Sequence, residues 1–413
     1  MSLSIFISAG EASGEAYGAL LIDELKKHLA AEDENASYFG MGGPRMSAAG
    51  LQRIVRAEDV AVMGITEVIR HLPRIYREFR KLKQSLRDRR PAVAILIDFP
   101  DIHFKLAEEL KRLGVPVIFF VSPQLWAWKK HRIKLVQKYV DRMLVIFPFE
   151  EPFYRERGVS AEFVGHPMAE LPMPSISRAE FAAANNLDPA KTWIGLLPGS
   201  RAKEIRDNLP EMLKAAKLLA AQSQTAFEFV LPLAPTLTSA HRESVAHMIK
   251  QASAATPVLL VDDAKAALFH VRASVVASGT ATVEAALIGN PFVVVYRVSP
   301  ITYAIAKRVV TVPHVAMANL IAGKRLVPEL IQNDFTASNI VRELSPLITD
   351  GTPRESMMME LAGLRSILRA KAPGTPRETG SAIARVAQIT LELLGKTHPA
   401  RLAETVSPET MPY

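Results

Sequence analysis

The sequence predicts an α/β protein of two domains, each a parallel sheet covered by helices, which face each other across a cleft and are followed by C-terminal helices. Short apolar runs alternate with amphipathic helical patterns in both halves, as is typical of parallel sheets. A stretch rich in Pro and Ser separates the two series, and the length of 413 residues accommodates two domains.

The first series of predicted strands lies within residues 1–170, which we interpret as one domain. Each strand is short, rich in β-branched or aromatic residues, and bounded by Gly, Pro or charged residues, as buried parallel strands are. These strands are residues 4–8, 37–39, 92–97, 115–121 and 143–147.

The second series follows a predicted linker at 171–191 and defines a second domain at 192–350. Its predicted strands are residues 193–197, 227–231, 258–261, 274–277 and 292–296. Residues 351–395 return to a helical pattern, and residues 396–413, rich in Pro, Glu, Ser and Thr, predict a flexible tail.

The composition excludes several kinds of site. With Cys 0, the chain has no disulfide, thiolate nucleophile, iron–sulfur cluster or cysteine-ligated zinc. No clustered His, Asp and Glu spacing and no Asp-x-Asp element predicts a metal site, so we expect neither a metal nor a cofactor. A formal charge of +8 favours an anionic partner, and the N-terminus, which lacks a basic leader, predicts a cytoplasmic protein.

Three loops at predicted strand ends have the chemistry of a ligand site. Ligands bind at the carboxyl ends of parallel strands, where helix N-termini favour phosphate. Asp98 ends a purely apolar strand, and a partly desolvated carboxylate there is a candidate general base. The other two loops are residues 197–201, which end in Ser200 and Arg201, and residues 277–284, which include Gly279, Thr280 and Glu284. Each is also compatible with an ordinary strand-to-helix turn.

The ordered set of motifs resembles the lipid-A-disaccharide synthase family from about residue 3 to about residue 345. The element Ser-Pro-Gln-Leu-Trp-Ala-Trp at 122–128 is the most specific of them. The others are residues 8–15, 40–46, 62–64, 148–150, 196–201 and 277–284. The resemblance implies the GT-B arrangement of two Rossmann-like domains. It also implies an inverting glycosyltransferase that joins UDP-2,3-diacylglucosamine to 2,3-diacylglucosamine 1-phosphate and releases UDP.

The resemblance places UDP on the second domain. It implies Ser200 and Arg201 near the diphosphate and Glu284 on the ribose, in the loop that contains Gly279 and Thr280. Asn319 and Leu320 are expected near the nucleotide. Charge on the departing UDP would be stabilised by Arg201 and helix N-termini.

The acceptor is expected on the first domain, where Asp98 would deprotonate its 6-hydroxyl. The residues expected to line the cleft between donor and acceptor are Gly14, Glu15, Ser122, Gln124, Trp126 and His166. Three sites depart from the family's usual residues: Glu15 replaces Asp, Ile102 and His103 replace Phe and Asn, and Ala318 replaces Pro. We assign no catalytic role to Glu15, because its extra methylene displaces the carboxylate.

A basic, apolar segment runs from Val62 to about Leu86. With the acylated substrates that the resemblance implies, it is expected to dock on the cytoplasmic face of the inner membrane, where anionic lipid lies. The residues expected to dock are Ile65, Val68, Ile69, Arg70, Leu72 and Arg74. The alternative is an ordinary amphipathic helix that buries its apolar stripe in the domain. The C-terminal helices either return to the first domain or are exchanged between the subunits of a homodimer.

Three other functions compete with this interpretation. A UDP-N-acetylglucosamine 2-epimerase shares the architecture but forms no glycosidic bond, and a MurG-like transferase differs in its acceptor. A non-enzymatic binder of anionic lipid or nucleic acid would also explain the charge. Aromatic residues make up only 7% of the chain and are not interleaved with basic ones for base stacking, so we expect no nucleic-acid partner.

Overall fold

The computed structural model describes residues 3–31, 33–60, 65–234, 237–252, 256–309, 312–369 and 381–395. Within them the first half contains seven strands and the second half six. The first seven are β1 (Leu3–Ala9), β2 (Ala36–Gly42), β3 (Leu51–Arg56), β4 (Val93–Ile97), β5 (Val117–Phe120), β6 (Arg142–Val145) and β7 (Ala161–Phe163). The other six are β8 (Thr192–Leu197), β9 (Phe227–Pro232), β10 (Val258–Val261), β11 (Ala273–Ala277), β12 (Phe292–Tyr296) and β13 (Glu329–Ile331).

The helices connect consecutive strands, except for the last three, which follow β13. In the first half they are α1 (Ala12–Ala30), α2 (Pro44–Ala48), α3 (Ile65–Arg89), α4 (Pro100–Arg112), α5 (Ile133–Tyr139) and α6 (Glu150–Arg155). In the second half and beyond they are α7 (Arg178–Asn185), α8 (Ala202–Gln222), α9 (Ser239–Ala252), α10 (Ala264–His270), α11 (Thr280–Ile288), α12 (Pro300–Val309), α13 (Met317–Ala322), α14 (Ala337–Ile348), α15 (Thr352–Leu368) and α16 (Ala382–Leu393).

Both sheets are parallel, and each has one point where the strand order reverses. The first has the order β3-β2-β1-β4-β5-β6-β7 and the second β10-β9-β8-β11-β12-β13. The order therefore reverses between β1 and β4 and between β8 and β11, where the following loops diverge and leave a crevice. The α/β class and the two-sheet architecture predicted from the sequence are confirmed.

Sequence patterns located the central strands and missed three at the sheet edges. The missed strands are β3, β7 and β13, which end the two sheets. Every residue of the central strand β4 is buried, whereas no residue of β7 is. An edge strand is partly solvated, so its sequence lacks the continuous apolar run by which the others were recognised.

The chain crosses between the halves twice. Residues 171–191, predicted as a linker, contain α7, which begins with a capping box between Ser177 and Glu180. After α15 the chain returns, and α16 packs against α1 of the first half. The His166 N–H donates to the Leu368 carbonyl at 2.7 Å, and Arg385 pairs with Glu162 at 2.6 Å. Within one chain, α16 thus covers the first half, and its exchange between subunits stays a prediction.

Candidate active site

Asp98 lies directly after β4, at the reversal point of the first sheet. Asp98 and Phe99 both have φ of 52°, a left-handed conformation that costs a non-glycine residue about 1–3 kcal/mol. The Asp98 N–H donates to the Phe120 carbonyl at 2.9 Å, which fixes the turn. Val121, after the neighbouring strand β5, is also left-handed with φ of 62°. Backbone strain is therefore concentrated at this edge of the sheet, as at many functional sites.

The Asp98 carboxylate has the acidity expected of a general base. Burial, aided by the nearby Glu11 carboxylate and opposed by a hydrogen bond from the Phe99 N–H, raises the pKa of Asp98 to about 7. A base whose pKa lies near the working pH is partly ionised and still basic enough to accept a proton from a hydroxyl. The raised pKa suits a general base, and the role of Asp98 stays a prediction.

His103 stabilises the Asp98 turn through hydrogen bonds of its buried ring. Its ring is fully buried, and burial lowers the pKa of His103 to about 4, so the ring is neutral. Because a carbonyl only accepts, Nδ1–H donates to the Asp98 carbonyl at 2.5 Å, and Nε2 accepts from the Ser8 hydroxyl at 2.8 Å. The histidine that departs from the family's usual residue is therefore a support for the turn.

Tyr17 lies near a carboxylate of each half, and sequence reasoning missed it. Its side chain is 6% exposed, and its ring packs edge-on against His166, with centroids 6.4 Å apart. Burial raises the pKa of Tyr17, and so do the carboxylates of Glu284 and Asp98. The carboxyl edges of the two sheets thus face each other around Tyr17. In the sequence it was only one apolar position of helix α1.

Gly14 and Glu15 of α1 have contacts that shape the first half of the cleft. A Cβ on Gly14 would lie 3.3 Å from Ile97 Cγ2, so the glycine lets α1 approach β4 closely. Glu15 Oε1 accepts the Arg45 N–H at 2.7 Å and so contacts the first turn of α2. A Cβ on Gly43 would lie 2.3 Å from that oxygen, so a larger residue there would displace the Glu15 carboxylate. Glu15 has a structural contact, consistent with the absence of a catalytic assignment.

The loop after β5 is fixed by hydrogen bonds of its own buried side chains. The Trp126 indole N–H donates to Glu150 Oε1 at 3.0 Å, and Glu150 Oε2 accepts the Phe147 N–H at 3.1 Å. Glu150 is 1% exposed, and burial raises its pKa to about 7. The Ser122 hydroxyl lies 2.7 Å from the Tyr154 hydroxyl. The polar atoms of Ser122 and Trp126 thus shape the loop, whereas Gln124 is exposed.

His166 lies where the chain crosses between the halves. It is 2% exposed, and burial lowers its pKa to about 4, so the ring is neutral. Its Nδ1 accepts the Met168 N–H at 3.2 Å. His166 is therefore part of the segment that crosses between the halves, and it lies close to Tyr17.

The loop after β8 places Ser200 and Arg201 at the N-terminus of α8. Glu204 Oε2 accepts the N–H groups of Ser200 and Arg201 at 3.1 and 3.4 Å, and the Arg201 guanidinium lies 3.5 Å from Glu204 Oε1. A Cβ on Gly199, whose φ is 126°, would lie 2.6 Å from Glu204 Oε2. An internal carboxylate therefore occupies the donor groups that suit an anion.

The loop after β11 lies beside it across the reversal point of the second sheet. Gly279 has φ of 154°, and a Cβ there would meet nothing within 4 Å, so the backbone is open to a ligand. Thr280 is exposed. Burial raises the pKa of Glu284, Lys265 lowers it, and Asp263 raises it. The structure thus brings the loops of Arg201 and Glu284 together, as the topology requires.

Asn319 is a scaffold residue in this structure. It is fully buried in α13, and its Oδ1 accepts the N–H groups of Leu326 and Val327 at 2.8 Å each. Its Nδ2 donates to the Val327 carbonyl and to Glu329 Oε1. The amide group orders residues 326–329, and the adjacent Leu320 is half-buried.

The predicted docking residues lie mostly outside the described side chains. The backbone of 65–72 is helical, but the side chains of Ile65, Val68, Ile69, Arg70 and Leu72 are not described. Arg74 is described, and it pairs with Asp59 at 2.5 Å. No helix in the described ranges has the length and apolarity to cross a bilayer. Those ranges also contain no group of three or more His, Asp or Glu arranged to hold a metal.

Comparison with known proteins decides the family. The family model described as lipid-A-disaccharide synthetase matches residues 5–372. The lipid-A-disaccharide synthase of Acidobacterium capsulatum is 62% identical over 400 residues, covering 95% of this chain and 96% of that protein. The corresponding protein of Koribacter versatilis is 50% identical over 368 residues, covering 89% and 94%.

The chain belongs to the lipid-A-disaccharide synthase family. It is a glycosyltransferase of lipid A biosynthesis, and the resemblance recognised from the motifs is confirmed.

Solved structures show how the lipid-A-disaccharide synthase fold relates to others. UDP-GlcNAc 2-epimerase from Neisseria meningitidis, bound to UDP-GlcNAc, superposes with a TM-score of 0.60 at 15% identity, covering 96% of this chain and all (100%) of the other. MurG from Acinetobacter baumannii superposes with a TM-score of 0.53 at 12% identity, covering 95% and 100%. At these identities the likeness shows a common fold only. The GT-B architecture is thereby confirmed, and the competing epimerase and MurG-like interpretations are explained by this shared fold.

Proposed function

We propose that the protein transfers the sugar of UDP-2,3-diacylglucosamine to the 6-hydroxyl of 2,3-diacylglucosamine 1-phosphate, giving a β-1,6-linked disaccharide 1-phosphate and UDP. The observation that carries this proposal is that Asp98 of the first half and Glu284 of the second both lie near enough to Tyr17 to raise its pKa. A half-buried base of one half thus lies near the part of the other half whose loops suit a nucleotide diphosphate.

The residues of the two halves divide the reaction between them. Glu284 accepts hydrogen bonds from the ribose hydroxyls, and Arg201 with the α8 N-terminus binds the diphosphate. Asp98 accepts the proton of the acceptor 6-hydroxyl, whose oxygen then forms the new bond to the anomeric carbon. The bond from that carbon to the UDP oxygen breaks on the opposite face, so the configuration inverts and UDP leaves with the electron pair.

The same proposal places the protein on the cytoplasmic face of the inner membrane. Both substrates carry acyl chains, and helix α3 begins at the carboxyl edge of the first sheet, where Asp98 lies. Its residues Ile65, Val68, Ile69 and Leu72 would enter lipid, with Arg70 and Arg74 near anionic headgroups.

Mass spectrometry of the products tests the proposed function. Purified protein is incubated in detergent with the two proposed substrates and no added metal, and we expect a tetraacyl disaccharide 1-phosphate together with UDP. UDP without disaccharide would indicate donor hydrolysis or another acceptor. Neither product, with UDP still bound, would contradict the proposed substrates.

Replacing Glu204 by Gln should strengthen UDP binding about three- to tenfold. The Glu204 carboxylate now holds the amides and the guanidinium that the diphosphate would use, and a neutral amide competes with the ligand less well. Calorimetric titration with UDP measures the change. Asp207→Asn is the matched control, since Asp207 lies on the same helix and pairs with Lys203 instead. Unchanged or weaker binding in Glu204→Gln would show that the carboxylate is only a helix cap.

A further inference from the structure

Trp128 is an exposed aromatic side chain in the loop that follows β5. It is 44% exposed, whereas Trp126 is 8% and Trp193 0% exposed. The transfer of a large aromatic ring from water to an apolar partner lowers the free energy, so an exposed Trp indicates a contact surface. We call residues 128–134 the Trp128 rim.

The rim is strongly cationic. Lys129 Nζ lies 4.1 Å from the centroid of the Trp128 ring, and Lys130 and His131 are exposed. Residues 121–140 contain neither Asp nor Glu. Among the described residues, Arg132 is the one rim cation with an ion pair, to Asp101 at 2.6 Å. The surface therefore presents an aromatic ring among uncompensated positive charges.

The rim is held in place by the structure beneath it. Trp126 is fixed on the buried Glu150, two residues before Trp128. Lys129 adopts a left-handed conformation with φ of 53°, and the Arg132 pair ties the rim to the first turn of α4. The exposed ring is thus presented on a rigid support, so little conformational entropy is lost when it is bound.

The position of the rim limits the partners it can meet. It follows β5, so it lies at the carboxyl edge of the first sheet, beside the strand that ends at Asp98. Helix α3 begins at the same edge after β3. One edge of the first half therefore carries the reactive carboxylate, the start of α3 and the Trp128 rim.

We propose that the Trp128 rim is a second membrane contact, with the Trp128 ring at the headgroup level of an anionic bilayer and Lys129 and Lys130 near lipid phosphates. Tryptophan favours this interfacial depth, because its ring is apolar while its N–H is wet. Each Lys near an anionic surface adds to the attraction, and the absence of acidic residues in the rim removes repulsion. The proposal rests on the proposed function only in requiring a bilayer at this edge.

Intrinsic fluorescence tests this directly, because Trp128 is the exposed one of three Trp residues. The full-length protein is mixed with vesicles of phosphatidylcholine and phosphatidylglycerol whose acyl chains are brominated near the headgroup. We expect quenching in the wild type and none in Trp128→Phe. Flotation with unbrominated vesicles should show binding about tenfold weaker in Lys129→Ser/Lys130→Ser.

Lys214→Ser/Lys217→Ser is the matched control, since it removes the same charge from exposed positions on α8. It should bind vesicles as the wild type does. Vesicle binding without quenching would overturn the proposal and leave α3 as the contact. If soluble glucosamine 1-phosphate abolishes the quenching, the proposal is overturned in favour of an acceptor subsite at Trp128. If Trp128→Phe changes the oligomeric state, it is overturned in favour of a contact with a second copy of the chain. None of these readouts needs turnover, so failure of the proposed reaction is recognised separately.

Discussion

Asp98→Asn should lower kcat about a thousandfold while UDP binding stays within about twofold of the wild type. The amide cannot accept the proton of the acceptor hydroxyl, and general-base catalysis contributes about 10²–10⁴-fold. Asp98 lies on the half opposite the proposed UDP site, so the ground-state affinity for UDP is not expected to change. A discontinuous product assay and a UDP titration measure the two quantities.

The pH profile gives the same prediction a second readout. Because burial raises the pKa of Asp98 to about 7, the ionised base is lost as pH falls through that value. Wild-type kcat/KM should therefore rise up to about pH 7 and then level, and residual activity in Asp98→Asn should lack this rise. Glu108→Gln, at an exposed carboxylate of the following helix, is the control. Full activity in Asp98→Asn would remove Asp98 as the base.

Unfolding does not account for the expected loss. A carboxyl group whose pKa is raised in the folded protein destabilises it when ionised, because the unfolded state ionises at lower pH. For Asp98 this cost is absent at low pH and grows as pH rises from about 3.8 to about 7. The Asn variant avoids the cost, so its Tm at pH 8 should equal or exceed that of the wild type.

Arg201→Ala should weaken UDP binding at least tenfold and lower kcat/KM about 10²–10³-fold. The guanidinium is the half-exposed cation at the N-terminus of α8, and the charge on the departing diphosphate grows during the reaction. Part of the loss therefore appears in kcat. Calorimetry with UDP and initial-rate kinetics separate the two effects.

Arg206→Ala is the matched control for Arg201→Ala. Arg206 lies on the same helix with its side chain 72% exposed, and its removal changes the net charge equally. Arg201→Lys should recover only part of the activity, because an ammonium group cannot bind phosphate bidentately. An unchanged UDP affinity in Arg201→Ala would place the diphosphate elsewhere in the cleft.

The sequence located candidate residues at strand ends where those residues follow central strands. Asp98 and Arg201 come after buried apolar runs, and Gly279 stands in a run of small residues. Such strands are buried on both faces, so each appears in the sequence as a continuous run of apolar residues. Because parallel strands end at one edge, the loops that follow β8 and β11 had to be neighbours once the strand order was known.

The rest depends on tertiary contacts that no local pattern encodes. Tyr17 is one more apolar residue of an amphipathic helix until the two halves face each other. His103 and Glu150 belong to recognised stretches, but their support of Asp98 and Trp126 depends on side-chain geometry. Asn319 was expected near the nucleotide from the family resemblance, whereas in the structure its amide bonds to the backbone of Leu326 and Val327 and to the Glu329 carboxylate. The polar edge strand β7 likewise has no apolar run by which the sequence would predict it.

The packing of α16 on α1 governs the order in which the protein can be completed during synthesis. Helix α1 leaves the ribosome among the first elements and its partner α16 last among the described ones. The face of α1 that α16 covers therefore stays open while the entire second half is translated. Contacts between distant parts of a chain form slowly, and surfaces that await them are prone to aggregation. A nascent first half is thus a client for chaperones until the chain returns to it.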